Sequence, residues 1–407
     1  MYLVKNKGKI NPMVSVAEAS SIVLNHLVKP LEVVLNLSHA VGRVLAETIV
    51  ADRDLPPVNR VTMDGIAIAF AAVQSDIQKF SIEGTLAAGM PAKVLGNKIN
   101  CFEVMTGAVL PGNTDTVIPY EDILVDGKMA TLQTASVKQG QNIHYHGADA
   151  KAGSLLLSAG MILSPAEIAL LASVGRAEIK VYDFPKTAII SSGDELVSVE
   201  TRPLPHQVRR SNSFAIHAAM QMMGWDGELF HLADVKEDMK TSLREIISKF
   251  DVLILSGGVS KGKYDFVPEV MEELGISKLI HRVSQRPGKP FWFGASKNKV
   301  VFALPGNPVS TYMCFYRYIR LWILSSMNVN ATESHVILAE DFKPLHDLTY
   351  FLQVRVYNES GKLMARPEVG GGSGDFANLK LVTGFIELPP AKSMYLKGQV
   401  FRYFSFR

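Results

Sequence analysis

Cysteine is scarce in this 407-residue chain: the two it has, Cys101 and Cys314, lie far apart in sequence. That spacing excludes a disulfide framework and the paired-cysteine spacing of a zinc site, so each is read as a small buried hydrophobe. Excess charge is also lacking. Forty-two basic residues stand against 39 acidic ones, a net charge of +3, where a dedicated nucleic-acid binder carries a strong basic surplus. No apolar run approaches the roughly 18 residues of a membrane span. The opening "MYLVKNKGKINP" holds three lysines but no apolar core for a secretory signal. No internal repeat or low-complexity tract stands out. A soluble, cytoplasmic protein in a reducing compartment is therefore expected, with no nucleic acid or membrane among its partners. Its length implies two to four domains.

What is present changes character along the chain. Val16, Ala19, Ile22, Val23 and Leu27 recur at helical spacing over residues 15–29. From about 52 to 144, short apolar runs such as "CFEVM" and "DTVIPYEDILV" alternate with turn residues and read as β-rich. "SPAEIALLASVG" (164–175) reads as a helix with Ser164 at the N-cap, Pro165 at its first position and Gly175 past its end. Between 183 and about 328, strand patterns ("KTAII", "GELFHLA", "DVLIL", "KVVFAL") alternate with helix patterns, among them "SNSFAIHAAMQMMG", expected to be capped. This alternation predicts a doubly wound α/β domain with a parallel sheet. Residues 335–407 return to short strands between glycine turns and predict a small β-barrel or sandwich.

In open parallel sheets ligands bind beyond the carboxyl ends of the strands. Three expected strands end in small-residue turns: Ser191-Ser192-Gly193-Asp194-Glu195, Ser256-Gly257-Gly258-Val259-Ser260 and Pro305-Gly306-Asn307-Pro308. Glycines there let backbone approach a ligand, and helix N-termini favour phosphate. Glu195, Asp234 and Asp265 fall at the same edge, and Arg282, Arg286 and Lys289 lie in "HRVSQRPGKPF". Each has a structural alternative: Asp234 with Glu237 fits a helix cap, Asp265 fits the cap of a helix containing Pro268, and the basic residues fit a solvated loop. Together they combine carboxylates for a divalent metal with cations for oxyanions, a set suited to phosphoanhydride chemistry.

"GVSKG" (258–262) also fits the G-x-S-x-G turn of esterases. A nucleophilic serine in that turn leads directly into a helix, whereas here "KGKYDFVP" follows Ser260. His281, His335 and His346 sit in no recognisable strand-end loop, and no H-G-G-G stretch supplies an oxyanion hole. The glycine-rich anion turn is the preferred reading.

Seven motifs then appear in an order that resembles the MoeA/gephyrin E-domain family. They are "VTMDGIAI" (61–68), "VMTGAVLPGNTDTVIPYED" (104–122), "GADAKAG" (147–153), "SSGDEL" (191–196), "SGGVSKGKYD" (256–265), "RPGKP" (286–290) and "LPGNPVS" (304–310). The resemblance covers about residues 13–407. It implies a molybdopterin molybdenumtransferase that inserts molybdate into adenylylated molybdopterin, depends on Mg2+ and releases AMP. It also implies a central MogA-like α/β molybdopterin-binding domain (183–330) and a helical linker domain (13–51 and 145–182). A β-rich lobe (52–144) and a C-terminal β domain (331–407) complete the expected fold. By similarity Ser191, Gly193, Gly257, Gly258, Ser260, Lys289, Pro305, Gly306, Asn307, Pro308 and Ser373 would hold the nucleotide and pterin. Asp234 and Asp265 would hold Mg2+, and Asp64, Thr106, Asp149, Glu195, Arg282 and Arg286 would complete the catalytic set. The family further implies a homodimer with its site between subunits. Molybdopterin adenylyltransferase and molybdoenzymes or their chaperones are the expected partners.

Several positions depart from the family pattern. Arg282 and Arg286 stand where the family has lysines, which replaces a point charge by a planar fork. His144 stands where an arginine is usual. Lys263 replaces an acidic residue, Lys261 is also unusual, and Ile66 replaces a tyrosine. A tungstate-inserting paralogue, a scaffold without catalysis, and a molybdopterin-binding or adenylylating protein are the other readings. The retained carboxylates count against the scaffold, and the β segments on both sides count against an isolated α/β protein.

Overall fold

The computed structural model describes residues 13–259, 265–329, 332–344, 347–390 and 393–407. The chain divides into two compact units: one takes in residues up to Ala46, Ala159–Pro165 and Glu178–Arg407, the other Glu47–Ser158 and Ala166–Ala177. Ser260, Lys261 and Lys263 lie outside the described residues.

The first unit is built on a six-stranded sheet. Its order is Glu228–Leu232, Thr187–Ser192, Val252–Ser256, Lys299–Leu304, Trp292–Ser296 and Ser277–Ile280. The first four strands are mutually parallel, as the β/α alternation predicts. The last two are not: Trp292–Ser296 runs antiparallel to both of its neighbours. The sheet is therefore mixed. The pair escapes sequence reading because its strands are four and five residues long and "GAS" carries no apolar alternation.

Successive side chains on the inner strands enter opposite cores. Ile189, Val252 and Ile254 pack with Ile216 and Met220 of the helix Asn212–Gln221. Ala188, Ile190, Leu253 and Leu255 pack with Leu243 of Lys236–Lys249 and Val270 of Val267–Glu273. Two-sided burial explains the unbroken apolar runs of these strands. The helix Val16–Leu24 joins the first core through Val16, Ala19 and Val23, and Ser15 with Glu18 closes a capping box at its start. The helix ends before Leu27, which is exposed.

Three of the caps considered for the other helices are absent. Ser211 makes no side-chain bond at the start of Asn212–Gln221, and Val235 and Phe266, not Asp234 and Asp265, occupy the N-cap positions of their helices.

Five C-terminal strands close a barrel: Thr349–Glu359 pairs Lys362–Pro367, then Ser334–Leu338, Val400–Ser405 and Gly384–Leu388, which returns to Thr349–Glu359. Val336, Leu352, Val354 and Ile386 fill it. Gln285–Arg286 joins as a short parallel strand on Thr349-Tyr350, fastening the R-P-G-K turn to the barrel. The almost fully buried Arg317 donates to Glu387 at 2.9 Å and binds the last long helix to the same barrel. A buried guanidinium is tolerated only with such a partner.

The second unit carries its own six-stranded sheet, in the order Thr116–Pro119, Gly65–Ile68, Asn100–Val104, Lys79–Leu86, Met129–Leu132 and Ile123–Asp126. Ile66, Ile68, Phe80, Cys101 and Ile118 are buried in it. Burial raises the Cys101 thiol to about 12, and both cysteines are buried and unbridged, as inert packing residues.

Candidate active site

The parallel strands end in register: Ser192 lies opposite Leu232, Ser191 opposite Ser256, and Ser256 opposite Leu304. The turns that follow are thereby set side by side around a cavity of about 620 Å³. Gly257 is what lets two of them touch. Its φ is +101°, its N–H donates to Leu304 O at 3.2 Å, and a Cβ there would sit 2.5 Å from Ser192 O. No residue with a side chain fits that position without moving the strand end.

Ser191, Gly193, Glu195, Asp234, Gly257, Gly258, Asp265, Pro305, Gly306, Asn307 and Pro308 all line this cavity. Asp234 accepts a hydrogen bond from Ser192 Oγ at 2.7 Å, and its backbone N–H donates to Asp194 at 3.0 Å. Neither Asp234 nor Asp265 occupies the N-cap position of the helix that follows it. Among the described residues no three His, Cys, Asp or Glu side chains converge as a metal cage.

Sequence reasoning missed a second wall of the same cavity, Val208–Ser213. Asn212 organises it: Nδ2 donates to Gly306 O at 2.7 Å, Ser256 Oγ at 2.8 Å and Thr311 Oγ1 at 3.3 Å. Because Gly306 O can only accept, the amide orientation is set, and Oδ1 is left buried without a partner among the described residues. "RRSN" precedes its helix, and the helix start was the available signal.

A second cavity, about 630 Å³, adjoins the first and shares Pro290, Pro305 and Asn307 with it. Arg286, Lys289, Gln353 and Ser373 line it. Buried Gln285 shapes the R-P-G-K turn, donating to Gly288 O at 2.9 Å while Tyr318 donates to its Oε1 at 2.5 Å. Ser373 comes from a glycine loop distant in sequence. Its Oγ accepts from Asn307 Nδ2 at 2.9 Å, and its carbonyl accepts from Val309 N at 3.1 Å. Arg282 lines neither cavity; its carbonyl accepts from Val14 N. The expected Arg282–Arg286 pair is thus not brought together here, and Lys289 is the cation that accompanies Arg286.

Asp64, Thr106, His144 and Asp149 belong to the second unit. Asp64 accepts from Thr106 N at 2.6 Å and Thr106 Oγ1 at 2.7 Å, and these bonds hold its carboxyl below the usual range. His144 meets Asp149 at 2.8 Å. Nearby, Asp54 accepts from Ala152 N and pairs with Lys151 and His146.

Ser260, on which the serine-elbow alternative rests, lies outside the described residues; the next described helix is Val267–Glu273.

Small-residue turns and three carboxylates at the carboxyl edge of the sheet, beside a cavity that holds a pair of cations, mark this as a doubly wound α/β domain with its candidate site at the strand ends. Residues 188–324 match the model described as a probable molybdopterin binding domain, and 14–175 and 335–406 match the MoeA N-terminal region (domains I and II) and C-terminal region (domain IV). The chain belongs to the MoeA family. It is 37% identical to a molybdopterin molybdenumtransferase of Synechocystis sp., over 97% of this chain and all of that one. A Bacillus subtilis protein of the same name is 30% identical over 89% of this chain and 87% of its own. Its fold is similar to the crystal structure of the molybdopterin biosynthesis MoeA protein from Pyrococcus horikoshii OT3, with a TM-score of 0.83 at 25% identity, covering 97% and 100% of the two chains.

Proposed function

We propose that the chain is a molybdopterin molybdenumtransferase: it takes adenylylated molybdopterin and molybdate, releases AMP and leaves molybdenum on the dithiolene sulfurs of the pterin. The observation that carries this is the pair of cavities with a common wall. One offers glycine turns and carboxylates, the other a guanidinium and an ammonium. A substrate with a phosphoanhydride fits the first, and a doubly negative tetrahedral oxyanion fits the second, where fixed donors replace its water.

Mg2+ belongs to this reading, and the donor set suits it. Mg2+ takes one or two carboxylates and completes its shell with water and substrate phosphate. Asp234 and Asp265, lining one cavity without a third convergent ligand among the described residues, offer that partial set. When bound it would supply positive charge to the phosphoanhydride. The chain's own part is to hold Asp234 through Ser192, to present the backbone of Gly257 and Gly258, and to keep Asn307 and Ser373 in contact between the cavities.

The reading extends to a homodimer in which Asp64, Thr106 and Asp149 complete the site of a second copy. It also extends to exchange with an adenylyltransferase and with molybdoenzymes or their chaperones, and to work in the cytoplasm. The test is reconstitution: adenylylated molybdopterin, molybdate and Mg2+ are incubated with the chain, and cofactor is assayed by activating an apo-molybdoenzyme. AMP release without activation would rule out insertion. Tungstate in place of molybdate separates the paralogue reading.

A further inference from the structure

Arg210 enters the sheet-edge cavity from the wall that no motif assigns. Its side chain is half-buried, and Nε is shut from solvent with no hydrogen-bond partner among the described residues. A permanently charged donor kept from water without an acceptor is costly, so the geometry suits an acceptor that arrives with a ligand.

The charge balance of the cavity says what that acceptor is. Its described charged lining is Glu195, Asp234 and Asp265 against Arg209 and Arg210. Arg209 is exposed, and its Nε is engaged by Thr201 O at 3.0 Å. Arg210 is the other cation of that described lining, and its Nε has no acceptor among the described residues. Glu200 is an electrostatic neighbour of Arg210; that exposed carboxyl is held low mainly by the Ser198 hydroxyl, with Arg210 a lesser contributor. Beside Arg210, the ten-residue helix Asn212–Gln221 starts without a side-chain cap, so its first N–H groups add donors to the same wall. Asn212 Oδ1 is the opposite kind of group, a buried acceptor that a phosphate has no hydrogen to satisfy and a nucleoside hydroxyl or amine does.

We propose that Arg210 reads the phosphate of the nucleotide half of the substrate, binding it against the start of the helix Asn212–Gln221, and so makes the cavity prefer a nucleotide to its bare nucleoside. This rests on the reading above that the substrate carries an adenylate.

The test compares AMP with adenosine by titration calorimetry in Mg2+, for the unsubstituted chain, Arg210→Gln and Arg210→Lys. The unsubstituted chain is expected to prefer AMP by about tenfold or more, the effect of one charge-assisted bond. In Arg210→Gln the preference falls to near unity while adenosine binding is unchanged; Arg210→Lys keeps part of it, since charge remains without the fork. An unsubstituted chain that does not prefer AMP, or an Arg210→Gln chain that still does, overturns the proposal. Equal loss of AMP and adenosine binding also overturns it, by making Arg210 merely structural. Cofactor reconstitution by the unsubstituted chain is scored separately. Insertion without AMP preference removes Arg210 and leaves the transferase reading; AMP preference through Arg210 without insertion does the reverse.

Discussion

The two groups of site candidates differ in how much of their hydrogen-bonding capacity the chain itself uses. In the second unit the carboxylates are engaged internally: Asp64 by both donors of Thr106, Asp149 by His144, and Asp54 by Ala152 N, Lys151 and His146. At the sheet edge of the first unit, capacity is left over. Asn212 Oδ1 and Arg210 Nε are buried and unmatched among the described residues, and Asp234 spends one bond on Ser192. Internal bonds fix a side chain's direction, whereas unmatched buried atoms cost folding free energy that a ligand can return. The second unit thus presents pre-set groups, and the sheet edge presents a site completed by what it binds.

That contrast breaks most readily at Asp265. Asp265→Asn should lower cofactor formation by about 100-fold or more, the scale of losing one electrostatic group at a reacting centre, while binding of adenylylated molybdopterin changes far less. Equal loss of both, measured by reconstitution and by calorimetry, would make Asp265 a structural residue. Gly257→Ala comes next. A Cβ 2.5 Å from Ser192 O at φ +101° forces the strand ends apart, and a stability loss of about 1–3 kcal/mol is expected. Thermal unfolding measures it, and an unchanged Tm would mean the turns need no such approach.

Arg286→Ala should raise the molybdate concentration for half-maximal insertion by about tenfold, as expected for one lost charge-assisted bond. Arg286→Lys should keep much of the function because the charge returns. Unchanged molybdate dependence with lost pterin binding would move Arg286 to the substrate's phosphates. The smallest effect concerns Asp64. Its carboxyl titrates below the usual range, so its contribution to stability is complete above the unfolded value of about 3.9 and is lost as pH falls through the lower folded value. Thr106→Val should bring the Asp64 titration, followed by NMR, back toward the ordinary range. No movement would show that the Thr106 hydroxyl adds nothing and that the backbone N–H of residue 106, which the substitution keeps, holds it alone.

Much of the site was legible because its turns are local. "SSGDEL", "SGG" and "LPGNP" each follow an apolar strand pattern, and parallel strands ending in register place such turns together, so Glu195, Asp234, Asp265 and Asn307 line one cavity as their pattern predicts. The cap alternative for Asp234 and Asp265 arose for an equally local reason. An acidic residue near a helix start has the composition of a cap, and only backbone geometry shows that Val235 and Phe266 take that place. Arg282 and Arg286, four residues apart, look like a pair in sequence; the short strand at Gln285–Arg286 carries only the second to the barrel-side cavity.

By itself the sequence determined the class of most segments, since strand and helix periods, glycine turns and paired charges are written within a few residues of one another. It also determined the family, through seven motifs in order. Only the tertiary structure decided which distant atoms meet. Ser373 reaches Asn307, Asn212 ties Ser256 to Gly306, and the barrel closes from Gly384–Leu388 back to Thr349–Glu359. Contacts of that kind depend on how whole elements pack, and the free energy that selects one packing is spread over cores such as those on the two faces of the central sheet rather than residing in any motif.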